Sequence, residues 1–219
     1  MRSGLAALFW RMYASWYDRL WDMPLTHAVA DAVIGQVPPD LPVVEVGAGT
    51  GLITRRLAVD RHVELAAEPA PAMRRRLIER QLLVDRIGEE AIDDLHLPAG
   101  TRCMVAVNVL HLVPSPSDAL ASLLEMAGPG GRVVIVTPAA GASLGVLIRV
   151  ARARDAGWGW AFAFVEAHLV LAPLAAIAGL PRGVHPLGGA SPTRVVGGVQ
   201  EIFVFQPTPP RRLTEHQER

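Results

Sequence analysis

The chain has 219 residues, of which 51% are apolar and 19% charged, a composition typical of one folded domain with its own core. Its 21 basic residues balance its 21 acidic residues, so no basic surface is indicated and we predict no nucleic-acid partner. The single cysteine, Cys103, excludes an internal disulfide and a cysteine-rich metal site. It lies in an apolar run and is expected in the core, and no metal site is predicted.

The N-terminal segment and one later apolar stretch bear on location. The first 20 residues lack an unbroken apolar region and a cleavage site, which argues against a signal peptide and favours the cytoplasm. Residues 156–180 are long enough to cross a bilayer, which needs about 20 apolar residues. Glu166 and His168 lie near the middle of this stretch, and Pro173 interrupts it. A buried cap helix is therefore favoured over a membrane span.

Short apolar runs alternate with amphipathic stretches along the chain, which indicates βαβ units. The pattern predicts two leading helices at residues 5–22 and 25–36, separated near Pro24. Strands are predicted at residues 42–46, 62–67, within 82–87, and at 104–109, 132–137 and 198–206. Helices are predicted at residues 52–59, 70–81 and 117–127, with Ser117 at the start of the last, and a further helical region at 141–180.

These elements predict an α/β fold of the Rossmann-like, doubly wound type, with a mostly parallel seven-stranded sheet. The sequence pattern locates six of the seven strands. We expect a single domain over residues 1–206. Within it, residues 1–36 are predicted to form a helical lid and residues 138–198 a helical cap between strands 5 and 6. Residues 207–219 are expected to be a disordered tail.

The strongest local motif is a glycine-rich loop, VEVGAGTG, at residues 44–51. Glycines there let the chain turn tightly and let a ligand approach the main chain, and the following helix start presents free N–H groups. Leu52 stands where the third glycine of a G-x-G-x-x-G dinucleotide motif is required. No G-x-x-x-x-G-K-[ST] motif is present and the chain contains no lysine, which excludes a P-loop.

The remaining pattern, E-x-G-x-G-x-G, resembles the start of class I methyltransferases, which use S-adenosylmethionine (SAM). The resemblance continues in order to Thr137 and includes the GPGG turn at residues 128–131. It implies that the loop of Gly47, Ala48, Gly49 and Gly51 holds the methionine part of SAM. It also implies that Glu45 orients the loop and approaches the amino group.

An acidic residue follows at the end of the second strand, since Glu68 lies 17 residues beyond Gly51. A carboxylate about 20 residues past a glycine turn can accept hydrogen bonds from ribose hydroxyls. The segment EPAPAM at residues 68–73 is similar to the family's acid-x-Ser-x-x-Met segment, which implies that Pro69 and Met73 flank the adenine. The alternative for Glu68 is a surface carboxylate that caps the next helix.

Two later segments also resemble the family. DDLHLP at residues 93–98 implies that Asp93 accepts a hydrogen bond from the adenine amino group and that Asp94 contributes a backbone amide. Asn108 begins a segment resembling the close of strand 4, whose carbonyls accept hydrogen bonds from the SAM ammonium. The family usually has a Phe-Asp pair just before that strand, whereas residues 101–104 contain no acid.

The sequence does not require a general base, because methyl transfer depends on alignment and desolvation unless the acceptor must first lose a proton. His111 is the candidate catalytic base, since it follows strand 4 at the carboxyl edge of the sheet. Its alternative is a loop histidine bonded to the backbone. Tyr13 and Tyr17 resemble the tyrosines of an N-terminal lid that reach the SAM carboxylate, and core packing is their alternative.

All five tryptophans lie in the predicted lid and cap: Trp10, Trp16, Trp21, Trp158 and Trp160. Such a cap suits a small, apolar acceptor. We therefore predict a methyltransferase that uses SAM as cofactor and a small, largely apolar metabolite as substrate. Two alternatives stay open: a SAM-binding enzyme with other chemistry, such as cyclisation or rearrangement, and a non-catalytic SAM-binding protein.

Overall fold

A computed structural model describes residues 2–139, 193–195 and 200–207, with the backbone alone for residues 2–10 and 20. Most of the predicted cap, its Trp158 and Trp160, and nearly all of the predicted tail lie outside these residues. Among the described residues, no helix has the length and apolarity that crossing a membrane requires. The apolar stretch at residues 156–180 is not among them.

The described residues form five α-helices and seven β-strands. The helices are α1 (Arg2–Trp21), α2 (Pro24–Ile34), α3 (Leu52–Asp60), α4 (Pro71–Glu79) and α5 (Pro116–Ala127). The strands are β1 (Val43–Val46), β2 (Val63–Ala67), β3 (Val84–Gly88), β4 (Cys103–Val107), β5 (Arg132–Pro138), β6 (Thr193–Val195) and β7 (Gln200–Phe205). Short 3-10 helices lie at Ile92–Asp94 and Leu110–Leu112.

The seven strands form one mixed sheet in the order β3-β2-β1-β4-β5-β7-β6. The first five strands in that order pair in parallel, whereas β7 runs antiparallel between β5 and β6. The chain order reverses between β1 and β4, and open α/β sheets bind ligands at the carboxyl ends of the strands beside such a reversal. The predicted Rossmann-like α/β fold with seven strands is confirmed.

Helices cover both faces of the sheet. On one face, α5 packs through Leu120 and Leu123 against strand residues that include Val44 and Met104. On the other face, α2 and α3 pack against a cluster that includes Val105 and the predicted core residue Cys103, which is fully buried. Because both faces are covered, β4 is apolar throughout, as a central parallel strand should be.

The structure corrects three of the predicted elements. Strand β4 ends at Val107 rather than at residue 109, because Asn108 takes a φ of 54° and leaves the extended conformation. Helix α5 begins at Pro116, and Ser115, not Ser117, is its N-cap and accepts a hydrogen bond from the Asp118 amide at 3.5 Å. Strand β6 falls inside the residues assigned to a helical cap, where its three residues are too short to give an alternating pattern.

Candidate functional site

A cavity of about 530 Å³ opens at the carboxyl edge of the sheet, beside the reversal of strand order. The ends of β1, β2 and β4 and the start of β7 meet there, and α1 and α2 add side chains. Most of the predicted site residues line this cavity: Tyr17, Glu45, Gly47, Ala48, Gly49, Glu68, Pro69, Met73, Asp93 and Asn108. The fold therefore gathers residues that lie up to 91 positions apart, from Tyr17 to Asn108.

The glycine loop after β1 uses its glycines in different ways. Gly47, Gly49 and Gly51 have φ values of 67°, 61° and 86°, in the left-handed region that favours glycine. A Cβ atom at Gly47 would clash with the Val109 side chain, and one at Gly51 would lie 2.6 Å from Leu77 Cδ1. A Cβ at Gly49 would meet nothing closer than Met73 Cε at 3.7 Å. Gly51 thus serves packing and does not line the cavity, whereas Gly49 leaves the cavity open.

Glu68 joins the end of β2 to the glycine loop. Its Oε2 accepts a hydrogen bond from the Gly49 amide and its Oε1 one from the Ala70 amide, each at 2.8 Å. The side chain is 7% exposed, so Glu68 is not the surface carboxylate of the alternative interpretation. Burial raises the pKa of Glu68, while the two backbone hydrogen bonds and Arg74 act in the opposite direction. The carboxylate fixes the loop and faces the cavity.

Glu45 lies in the middle of β1 and is 2% exposed. Its pKa is raised to about 8: burial is the main cause and the negative charge of Glu68 adds to it, while the Thr54 hydroxyl acts in the opposite direction. Its Oε2 is buried and has no hydrogen-bond partner among the described residues. A buried carboxylate oxygen without a partner is costly, and a bound cation or hydrogen-bond donor would remove that cost.

Two other buried oxygens without a partner among the described residues belong to side chains that line the cavity. Asn108 Oδ1 is one, and the Asn108 backbone amide donates to the Val136 carbonyl at 2.8 Å, which fixes the residue beside β5. Gln200 Oε1 is the other, on a side chain that is 4% exposed. Sequence reasoning missed Gln200, because nothing in a single sequence shows that the first residue of β7 lies beside the end of β5.

Helix α1 lies over the glycine loop and brings Tyr17 to the cavity. The Tyr17 hydroxyl oxygen is 3.8 Å from the Cβ position of Gly49, and burial, with nearby acidic groups, raises its pKa well above the ordinary value of 10.0. Tyr13 does not line the cavity. Its hydroxyl accepts a hydrogen bond from Trp21 Nε1 at 2.6 Å, and its ring stands perpendicular to that of Tyr17. The two tyrosines therefore occupy different environments.

Asp18 anchors α1 to the loop and was not singled out by the sequence. Its Oδ1 accepts a hydrogen bond from Thr50 Oγ1 at 2.5 Å, and its Oδ2 is 2.9 Å from Arg80 Nη2. Arg80 Nε in turn donates to the Thr50 carbonyl. These contacts join α1, the glycine loop and the end of α4.

Two further predicted residues, besides Gly51 and Tyr13, do not line the cavity. Asp94 ends the 3-10 helix at Ile92–Asp94, and its backbone amide donates to the Ala91 carbonyl at 3.1 Å. His111 lies within the 3-10 helix at Leu110–Leu112 and does not line the cavity. Their predicted roles stay predictions.

Arg102 occupies the segment where the sequence lacks the family's usual acid. The residue is 6% exposed and donates from Nη1 to the Pro98 and Met126 carbonyls at 2.9 and 3.1 Å. Its Nε donates to Glu64 at 3.3 Å. Arg102 precedes β4 and therefore lies at the amino edge of the sheet, opposite the cavity, where it ties three segments together.

The sheet order, the glycine loop and the acid at the end of β2 together define a Rossmann-like domain with a cofactor cavity. Residues 13–180 match the methyltransferase-domain family. The chain belongs to this family, and its cofactor is SAM.

One relative is similar to this chain in sequence, and two solved structures are similar to it in fold. A methyltransferase of Exiguobacterium sibiricum is 38% identical over 81 residues, which cover 36% of this chain and 30% of that relative. A SAM-dependent methyltransferase structure from Thermotoga maritima covers 90% of this chain and 98% of its own, with 15% identity and a TM-score of 0.58. A Haloferax volcanii complex of the methyltransferase activator Trm112 with a methyltransferase covers 91% and 98%, with 13% identity and a TM-score of 0.56.

The residues that line the cavity fit SAM. The cofactor carries an ammonium group and a sulfonium cation, and two of the buried oxygens without partners, on Glu45 and Asn108, are acceptors that suit a cation. Gly49 leaves space for a ligand against the main chain. The buried acceptors and the open space at Gly49 thus suit the cofactor of this family.

Proposed function

We propose that this protein transfers the methyl group of SAM to a small, largely apolar metabolite. One observation carries the proposal. The cavity that contains the predicted cofactor residues continues without a break to an apolar wall, formed by residues of α2 and of the segment after β4. That wall consists of Leu25, Val29, Leu112, Val113 and Pro114. A shared cavity lets a cofactor and an apolar acceptor meet with little water between them.

In the proposed complex, the residues at the β2 end hold the nucleoside. Glu68 accepts hydrogen bonds from the ribose hydroxyls with lone pairs that its two backbone partners leave available. Pro69 and Met73 flank the adenine, and Asp93 accepts from its amino group. Glu45 and the Asn108 segment accept from the ammonium group, and Tyr17 is directed to the carboxylate.

These residues contribute to the proposed reaction by aligning the acceptor with the methyl group of SAM. When bound, SAM would supply a methyl group on a sulfonium: a lone pair of the acceptor would bond to the methyl carbon, and the electron pair of the broken carbon–sulfur bond would stay on sulfur in the product S-adenosylhomocysteine (SAH). The loop and the apolar wall hold the two reactants in line and exclude water, an effect worth up to about 7–11 kcal/mol of barrier. His111 is retained as the candidate base for an acceptor that must lose a proton.

Calorimetry with SAM and with SAH tests the cofactor site, using the wild-type protein and the variant Glu68→Gln. The amide keeps the size of the carboxylate but weakens its acceptance from the ribose and from Gly49, so we expect at least a tenfold loss of affinity. Glu89→Gln is the matched control, because Glu89 is a neighbouring acid whose side chain is 78% exposed. Failure of the folded wild-type protein to bind either ligand would refute the proposed function.

Turnover is then tested by mass spectrometry, first with SAM alone and then with a panel of small amines, phenols and thiols. Formation of SAH together with a methylated acceptor is the expected result. A product formed from SAM alone would instead favour cyclisation or rearrangement chemistry. Tight binding with no product from any panel member would favour a non-catalytic SAM-binding protein.

A further inference from the structure

Gln200 is a buried polar residue to which the cofactor assignment gives no task. It is the first residue of β7 and pairs with Pro138, the last residue of β5. Its side chain is 4% exposed, and its Oε1 has no hydrogen-bond partner among the described residues. Leaving a buried amide oxygen without a partner is unfavourable in the ligand-free protein.

The position of Gln200 in the sheet separates it from the cofactor residues. Glu68 follows β2 and Gly49 follows β1, whereas Gln200 starts β7, which is three strands beyond β1 in the order β1-β4-β5-β7. At roughly 4.8 Å per strand, that separation is about 14 Å. The predicted cofactor residues extend from the β3 side of the sheet to Asn108 at the end of β4. Gln200 therefore lies at the opposite end of the same cavity.

The face on which Gln200 lies agrees with this placement. Side chains alternate along a strand, so Gln200 shares a face with Ile202, which packs in the cluster beneath α2. Leu25, Thr26 and Val29 of α2 line the same cavity. Gln200 thus adds a polar side chain to a part of the cavity wall where the neighbouring α2 residues are mostly apolar.

We propose that Gln200 is a specificity-determining residue, whose Oε1 accepts a hydrogen bond from an N–H or O–H group of the methyl acceptor. The inference rests on the proposed function and deepens it. The acceptor is then an apolar molecule that carries at least one N–H or O–H group, and a molecule of the same shape without that group is rejected. Rejection follows because the analogue would leave the buried oxygen without a partner, a difference that sites use for strong discrimination.

The experiment compares matched pairs of small aromatic compounds, in which the second member cannot donate a hydrogen bond. The pairs are phenol and anisole, aniline and N,N-dimethylaniline, indole and N-methylindole, and benzyl alcohol and benzyl methyl ether. Binding to the protein saturated with SAH is measured by ligand-observed NMR titration. We expect the wild-type protein to prefer the donor in at least one pair by fivefold or more.

Three variants test whether Gln200 causes the preference for the hydrogen-bond donor. Gln200→Leu should bind SAH as the wild type does, should show no decrease in melting temperature, and should lose the preference within the pair. Gln200→Glu keeps an acceptor oxygen at this position and should retain the preference. Gln206→Leu is the matched control, because Gln206 is an exposed glutamine just beyond the other end of β7, and should behave as wild type.

The results that would overturn the proposal are distinct from those that would refute the proposed function. A donor preference that survives in Gln200→Leu, or that is lost equally in Gln200→Glu, overturns the role of Oε1. Failure of every donor compound to bind the SAH-loaded wild type overturns the acceptor class. Loss of SAH binding by the wild type would instead refute the cofactor site, and with it the basis of this inference.

Discussion

The side chain of Glu45 has the most strongly altered acidity among the carboxylates that line the cavity. Its pKa is about 8 in the ligand-free fold, against an ordinary value of 4.5. Between these two pH values the folded state therefore holds a proton that the unfolded state releases. This contribution to stability is complete below pH 4.5 and is lost as the pH rises through about 8. At ~1.4 kcal/mol per pH unit, the upper bound of the loss is about 5 kcal/mol.

The variant Glu45→Gln tests this effect, because glutamine resembles the protonated carboxyl and does not titrate. We expect the free energy of unfolding of the wild type to fall relative to that of the variant between pH 5 and pH 8. Urea denaturation of both ligand-free proteins at pH 5, 6.5 and 8 measures the difference. A constant difference across this range would show that Glu45 is already ionised in the folded protein.

Alanine variants of two loop glycines should differ in whether they mainly reduce stability or SAM binding. Gly47→Ala places a methyl group against Val109 at a φ of 67°, so we expect a loss of stability of about 2 kcal/mol or more. Gly49→Ala meets no close atom and should cost about 1 kcal/mol for its left-handed backbone, but its methyl group narrows the cavity. Urea denaturation combined with SAM calorimetry should show Gly49→Ala weaker in binding but more stable than Gly47→Ala. The reverse order would contradict the assigned geometry.

At the scale of elements, the attachment of α1 depends on Asp18. The variant Asp18→Ala removes the acceptor for Thr50 and the ion pair with Arg80, which together hold α1 over the loop. We expect faster trypsin cleavage at Arg11 and Arg19, since local detachment of a helix exposes its backbone. SAM should slow this cleavage in the wild type if Tyr17 of α1 contacts the cofactor.

The matched control for this test is Asp31→Ala, which removes an exposed acid that pairs with Arg56 elsewhere on the surface. It should leave trypsin cleavage of α1 and SAM affinity unchanged. Identical cleavage rates in wild type and Asp18→Ala would show that Asp18 does not hold the helix. Unchanged cleavage in the presence of saturating SAM would contradict the predicted lid.

At the scale of the whole molecule, SAM should stabilise the fold through the residues that it joins. The cavity connects α1, the glycine loop, the end of β2 and the start of β7, so a bound ligand favours the folded state in which these segments meet. At 100 times Kd the gain is about 2.7 kcal/mol, which corresponds to a rise in Tm of roughly 5–10 °C. Thermal unfolding with SAM, SAH and adenosine measures this rise, and a rise no larger than that with adenosine would argue against a methionine subsite.

The sequence alone determined the fold class, because apolar runs and glycine turns are local patterns that each element needs for its own burial. The predicted cofactor residues near the ends of β1 and β2 could be identified for the same reason: Gly49 and Glu68 lie where a strand leads into the next helix, and Glu45 is the next-to-last residue of β1. Their order and spacing sufficed to predict which edge of the sheet carries them. The corrections at β4 and α5 concern end residues, where a single left-handed Asn108 or a cap at Ser115 decides the boundary.

Tertiary structure alone decided the features that depend on residues far apart in the chain. Asp18 contacts Thr50 and Arg80 because α1 docks on the glycine loop. Gln200, 92 positions after Asn108, lines the same cavity because β7 pairs antiparallel with β5. Burial, which sets the pKa of Glu45 and leaves Gln200 Oε1 without a partner among the described residues, is likewise a property of packing. A local pattern specifies which element forms, but the free energy of a buried polar group depends on what the rest of the chain places around it.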